Sequence, residues 1–181
     1  MLRDPGPSGL RGSPRDSIMT NAILTPPPGW DSWESIMHRA LAQAHKAAQH
    51  GEVPVGAILL SPTGEVLAEA CNAPLTMNDP SAHAEMLVLR RGAEKIGNYR
   101  LTDCVLACTL EPCMMCLGAM IHARIGGLIF GARDLKSGAL VSRMDGADLP
   151  FMNHRFPYID GILADECSAV LTDFFQNRRS K

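Results

Sequence analysis

Between Asp31 and His50 the apolar and small residues Trp33, Met37, Ala40, Leu41, Ala44 and Ala48 recur at steps of three and four, which predicts an amphipathic helix stopped by Gly51. Val53 to Leu60 and Glu65 to Asn72 read as two strands joined by Ser61-Pro62-Thr63-Gly64, a connection short enough for a hairpin. The pattern then alternates: a helix from about Pro80 to Ile96, a strand from Cys104 to Thr109, a helix from Pro112 to Ala123, a strand from Gly127 to Gly131, a loop, and a last helix from Ala164 to Arg178. Such alternation implies parallel strands covered by helices. The predicted fold class is therefore α/β, a three-layer α/β/α sandwich around a mixed sheet, with ligands at the carboxyl ends of its parallel strands.

Residues 1–28 carry no apolar period and end in Pro26, Pro27 and Pro28, so they read as a disordered N-terminal tail ahead of one domain over 29–181. Arg3, Arg11 and Arg15 among serines suggest a transit peptide, but Asp4 and Asp16 argue against one, and Met19 is an alternative start.

The length of 181 residues suits one domain with a core of its own. A formal charge of -2 provides no overall basic field, so any nucleic-acid contact has to come from a local patch. Six cysteines without a secretory apolar segment read as reduced thiols or metal ligands in a cytoplasmic protein, and no run is apolar enough to span a membrane.

The chemical signal is His83-Ala84-Glu85 followed by Pro112-Cys113-Met114-Met115-Cys116. Alone, a histidine on a helix is usually a surface or satisfied core residue, and Cys-x-x-Cys fits a redox pair or half of a structural zinc site. Together, at two helix starts, they offer three N/S ligands with a fourth position open, the arrangement of catalytic zinc. Pro80 and Pro112 are expected in first helical turns, with Asp79 as a cap before the first. Residues two apart do not share a helix face, so His83 and Glu85 converge on a metal only at the end of the cylinder. There the positive end of the dipole also favours the thiolates of Cys113 and Cys116. Zinc would bring the pKa of a bound water toward neutrality, and Glu85 could take its proton, pass it to a ring nitrogen and later protonate the departing amine. Zinc deaminases that act on bases carry this signature.

With these residues in view, the chain resembles the bacterial tRNA-specific adenosine deaminases, within the cytidine deaminase-like superfamily, over about Asp31 to Arg179. The resemblance also rests on Gly51-Glu52-Val53-Pro54-Val55-Gly56-Ala57, Asp79-Pro80-Ser81-Ala82, Thr109-Leu110-Glu111-Pro112-Cys113 and Gly131-Ala132-Arg133-Asp134-Leu135-Lys136-Ser137-Gly138. Met152-Asn153-His154-Arg155 and Gly161-Ile162-Leu163-Ala164-Asp165-Glu166-Cys167 lie outside the superfamily's shared core and point to this family specifically. It implies a five-stranded mixed sheet, one zinc per subunit on His83, Cys113 and Cys116, and Glu85 as proton shuttle. It further implies Asn72 hydrogen-bonded to a flipped adenine, Ala84 contributing its backbone N–H, and Val53 and Leu110 lining the base pocket. The implied reaction is hydrolysis of adenosine to inosine at the wobble position, by a homodimer acting on the anticodon stem-loop of an arginine tRNA, where the target base is already unpaired. Asp134, Lys136, Phe174, Phe175, Arg178 and Arg179 resemble the family's RNA-contacting residues. Phe174 and Phe175 read equally as core contacts of a terminal helix, and Arg178 and Arg179 as a solvated end.

Two other readings compete. A deaminase of a free base or nucleoside, such as cytosine, guanine or cytidine, would share the whole zinc core. A non-catalytic zinc module that binds RNA would need Cys108 as fourth ligand; Cys108, however, sits in an apolar run expected to be a buried strand, where cysteine behaves as a small hydrophobe. Cys71, Cys104 and Cys167 take the same assignment. His38, His45 and His50 are expected to face solvent, and His122 and His154 have no argued role.

Overall fold

Ser32 opens the first helix, its hydroxyl accepting the Ser35 N–H, and α1 runs Trp33–Gln49 with Ile36, Met37, Ala40, Leu41, Ala44 and Ala47 buried along one stripe. The computed structural model describes residues 25–179; the remainder of the expected tail, residues 1–24 with Met19, lies outside them. Of the tail's described part, Pro27 is buried; just after the tail, Trp30 donates its indole N–H to the Gly64 carbonyl at 2.9 Å.

After α1 come β1 (Gly56–Leu60), β2 (Val66–Cys71), α2 (Pro74–Met77), α3 (Ala84–Ile96), β3 (Val105–Leu110), α4 (Met114–Ala123), β4 (Gly127–Ala132), β5 (Tyr158–Ile159) and α5 (Ala164–Arg179). The five strands form one sheet in the order β2-β1-β3-β4-β5. β1 is antiparallel to β2 and β3, while β3, β4 and β5 are parallel. This is the mixed five-stranded sheet of a cytidine deaminase-like α/β/α sandwich.

The central strands are buried on both faces, and their side chains divide by alternation. Ala57, Leu59, Leu106, Cys108, Leu128 and Phe130 face α3 and α4. Ile58, Leu60, Val105, Ala107 and Ile129 face α1 and α5. A Cβ at Gly56 would overlap the Ala40 carbonyl and the Ala44 amide, so glycine there lets α1 settle against the first residue of β1.

Two expected helix starts are corrected. α3 begins at Ala84 and not at Pro80, and α4 begins at Met114 and not at Pro112, with His83 and Cys113 as the N-cap residues. Asp79 does not cap α3: its carboxylate accepts the Ser81 N–H at 2.8 Å and the Ser81 hydroxyl at 2.6 Å, closing a turn of its own. Pro80 belongs to that turn. α2 was not expected, and β5, with only two residues, carried no readable period.

Candidate active site

Both capping residues keep extended backbone, φ −71° and ψ 150° at His83, φ −76° and ψ 172° at Cys113, and neither side chain makes a capping hydrogen bond. The two side chains are thereby free to point outward from the helix ends toward each other. His83 Nδ1 lies 3.7 Å from Cys113 Sγ and 3.6 Å from Cys116 Sγ, and the two sulfurs are 3.7 Å apart. A tetrahedral zinc site with ordinary Zn–S and Zn–N bonds requires edges of about 3.8 Å between sulfurs and about 3.6 Å between sulfur and nitrogen. The triangle fits, and among the described residues it is the one group of three metal-ligating side chains. Cys108 is buried on β3, donating its thiol to the Leu110 carbonyl at 3.2 Å, and does not belong to it.

Contact with Cys116, helped by His83, holds the Cys113 thiol down at about 4. The Cys116 thiol, sharing a proton with Cys113 and buried, is pushed far up. His83 is raised, chiefly by its contact with Cys113. One thiolate thus forms readily at two converging helix N-termini, where the dipoles favour negative charge.

Glu85, the second residue of α3, is 3% exposed, and burial lifts its carboxyl to about 7. Its Oε2 has no hydrogen-bond partner. A buried carboxylate oxygen without a partner, beside three metal-ligating side chains and on a carboxyl raised by burial, makes Glu85 a candidate for proton transfer.

Asn72, at the end of β2, faces the same point. Its side-chain carbonyl accepts the Ala84 N–H at 2.8 Å, which settles the orientation of the amide and leaves Nδ2 as a donor. The Ala84 N–H, expected to reach the base, is already engaged by Asn72. A cavity of about 350 Å³ opens over this group, bounded by Val53, Asn72, His83, Glu85, Leu110 and Cys113, with Pro74, Leu75, Asp134, Ser137 and Arg178 further out. Its scale is that of a small-ligand site. The expected site residues on β2, α3, α4 and the ends of β1 and β3 are therefore brought together.

Two buried carboxylates in the cavity wall were quoted within motifs but given no role. Glu52 accepts the N–H groups of Leu75 at 3.2 Å and Thr76 at 2.7 Å and the Thr76 hydroxyl at 2.9 Å, fixing α2 on one side. Glu111 accepts the N–H groups of Asp134, Leu140, Val141 and Ser142 and the Ser142 hydroxyl on the other. The readable signal was a lone charge at the edge of an apolar run.

Of the six residues likened to RNA contacts, Asp134 and Arg178 line the cavity and the other four do not. Lys136 is exposed nearby. Phe174 and Phe175 meet edge to face at 5.4 Å, and the Arg178 guanidinium lies over the Phe174 ring at 5.3 Å. Phe175 is 43% exposed, so it is not a core contact. His38, His45, His50 and His122 face solvent, and His154 binds the Ile125 carbonyl at 2.8 Å.

Residues 31–179 match the model of the MafB19-like deaminase family. A tRNA-specific adenosine deaminase of Haemophilus influenzae is 47% identical over 148 residues, 82% of this chain and 86% of that protein. One of Bacillus subtilis is 39% identical over 148 residues, 82% of this chain and 91% of that protein. A solved chain from biochemical and structural studies of A-to-I editing by tRNA:A34 deaminases at the wobble position of transfer RNA aligns with a TM-score of 0.74 at 38% identity, covering 76% of this chain and 99% of that one.

Proposed function

We propose that this chain, which belongs to the family of tRNA-specific adenosine deaminases within the MafB19-like deaminases, hydrolyses the wobble adenosine of a tRNA to inosine and ammonia. The observation that carries the chemistry is the open Oε2 of buried Glu85 beside the triangle of His83, Cys113 and Cys116.

In this proposal His83 Nδ1, Cys113 Sγ and Cys116 Sγ hold one zinc ion. Zinc in such a site supplies Lewis acidity that brings the pKa of a water toward neutrality. Glu85 accepts one proton of the attacking water at Oε2 and delivers it to N1 of adenine as C6 is attacked. It then takes the proton of the new C6 hydroxyl and hands it to the amine, which departs as ammonia while C6 becomes a carbonyl, so the carboxylate ends the cycle as it began. Asn72 orients the base: its Nδ2 donates to a ring nitrogen while its oxygen stays on Ala84. Val53 and Leu110 exclude water from the faces of the base. The cavity takes one nucleoside, so the target must leave its stack, which is easiest in an unpaired loop.

The RNA partner is the anticodon stem-loop of an arginine tRNA. Arg178, which lines the cavity and lies over the Phe174 ring, is the best supported RNA contact, and Asp134, Lys136, Phe174, Phe175 and Arg179 are the other candidates. A homodimer and a cytoplasmic setting belong to the same proposal. The six free thiols suit a reducing compartment, and no helix among the described residues is long and apolar enough to cross a membrane.

The test is to incubate the zinc-loaded protein with an arginine tRNA transcript bearing an unmodified wobble adenosine, in parallel with free adenosine, cytidine and guanine, and to quantify inosine and ammonia. Inosine in the tRNA alone, at a rate that falls as salt rises, is expected. Ammonia from a free base or nucleoside alone overturns the tRNA assignment and leaves the metal chemistry standing.

A further inference from the structure

Glu111 stands between the metal-binding turn and the outer wall of the cavity. It is 2% exposed, one residue after β3 and two before Cys113. Its Oε1 accepts N–H groups from Leu140 at 3.1 Å, Val141 at 2.7 Å and Ser142 at 2.9 Å. Its Oε2 accepts the Asp134 N–H at 3.1 Å and the Ser142 hydroxyl. A single buried charge is thus solvated by one stretch of loop, which is satisfied only while that loop stays closed around it. The same loop is bridged to the site a second way: Gly138 pairs with Cys113 across an antiparallel bridge, and Ala139 donates its N–H to the Pro112 carbonyl at 2.9 Å. A Cβ at Gly138 would run into the Glu111 carboxylate.

Asp134 and Ser137, the loop's contribution to the cavity wall, are held from within. The Asp134 carboxylate accepts the N–H groups of Lys136 at 2.9 Å and Ser137 at 3.2 Å and the Ser137 hydroxyl at 2.5 Å. The Asp134 side chain shapes its own turn, and its backbone N–H hangs that turn on Glu111.

We propose that Glu111 is a positioning residue that sets the distance between the loop 134–142 and the metal-binding turn, and so fixes the outer wall against which the substrate nucleotide is held. This rests on the tRNA deaminase reading for the identity of the substrate and not for the link between Glu111 and the loop.

Glu111→Gln tests it selectively. The amide oxygen keeps the three bonds made by Oε1, and the Ser142 hydroxyl can turn to accept from the new NH₂ group. The Asp134 N–H alone then faces a donor. The expected result is wild-type zinc content, faster hydrogen exchange at residues 134–138, and a KM for the tRNA raised about tenfold with kcat within about twofold, the scale of one charge-assisted hydrogen bond. Gly138→Ala, which wedges the loop off the same carboxylate without changing charge, is expected to do the same and carries the test if Glu111→Gln fails to fold. A merely structural role would lower the melting temperature and leave the KM of the folded protein alone. Unchanged exchange in the loop, or faster exchange with an unchanged KM, overturns the proposal. A wild-type protein that does not act on tRNA sinks the substrate reading, and the exchange measurement, which needs no substrate, still decides on Glu111.

Discussion

Asn72 and Ala84 are joined by a buried hydrogen bond of 2.8 Å from the Ala84 N–H to the Asn72 side-chain oxygen, which ties the end of β2 to the first residue of the helix carrying Glu85. Asn72 therefore has two separable duties, an acceptor toward the protein and a donor toward the cavity. Asn72→Asp keeps the acceptor and removes the donor, whereas Asn72→Ala removes both and leaves a buried N–H unsatisfied. The alanine variant is expected to lose about 1–3 kcal/mol of stability in denaturant titration, the aspartate variant far less, and both to lose most deamination. Equal destabilisation of the two would mean that the Ala84 contact carries no weight.

Glu85→Ala is expected to keep one zinc per chain and to lose about 10²–10⁴ in kcat, the range of a positioned acid–base group. Metal analysis together with inosine formation checks it. Retention of full turnover would remove Glu85 from the mechanism.

Chelation should abolish activity and zinc should restore it. Cys116→Ser is expected to lose bound zinc, and Cys108→Ser to keep it, because Cys108 is turned into the core and bonded to Leu110. Zinc loss in Cys108→Ser would make it a ligand and revive a closed, structural site.

Glu52 gives a pH prediction. Burial works to raise its carboxyl, but the N–H groups of Thr76 and Leu75 and the Thr76 hydroxyl outweigh it and hold the group below its ordinary value. A depressed folded value means that stability is present above the unfolded value of about 4.3 and is lost as pH falls through the folded one. The melting temperature of wild type should exceed that of Glu52→Gln near neutrality, and the gap should close below about pH 4. A gap that stays constant to pH 3 contradicts the role assigned to this carboxylate.

His83, Glu85, Cys113 and Cys116 were legible as a group because three metal-ligating residue types and a carboxylate fall in two short local motifs, α1 and α3 because their apolar positions recur at helical steps, and the strands β1, β3 and β4 because each is a short continuous apolar run between turn residues. The helix starts at Pro80 and Pro112 were misread for one reason: His83 and Cys113, the candidate metal-binding residues, themselves occupy the N-caps with extended backbone, which proline statistics do not register. The Asn72 to Ala84 bond, the five donors on Glu111 and the two-residue β5 depend on contacts between distant segments, 12 to 31 residues apart for the hydrogen bonds, and no local pattern encodes them.

The indole of Trp30 anchors the start of the described chain to Gly64 in the β1–β2 turn, at the opposite end of the sheet from Asn72 and the cavity. Helix α5 finishes the other way, with Arg178 on the cavity rim. An affinity handle or fused fluorescent protein placed ahead of residue 25 would leave the mouth of the cavity open, while the same cargo after Arg179 would crowd it. For immobilising the protein on a sensor surface to measure RNA capture, attachment through the amino end is the choice this geometry dictates.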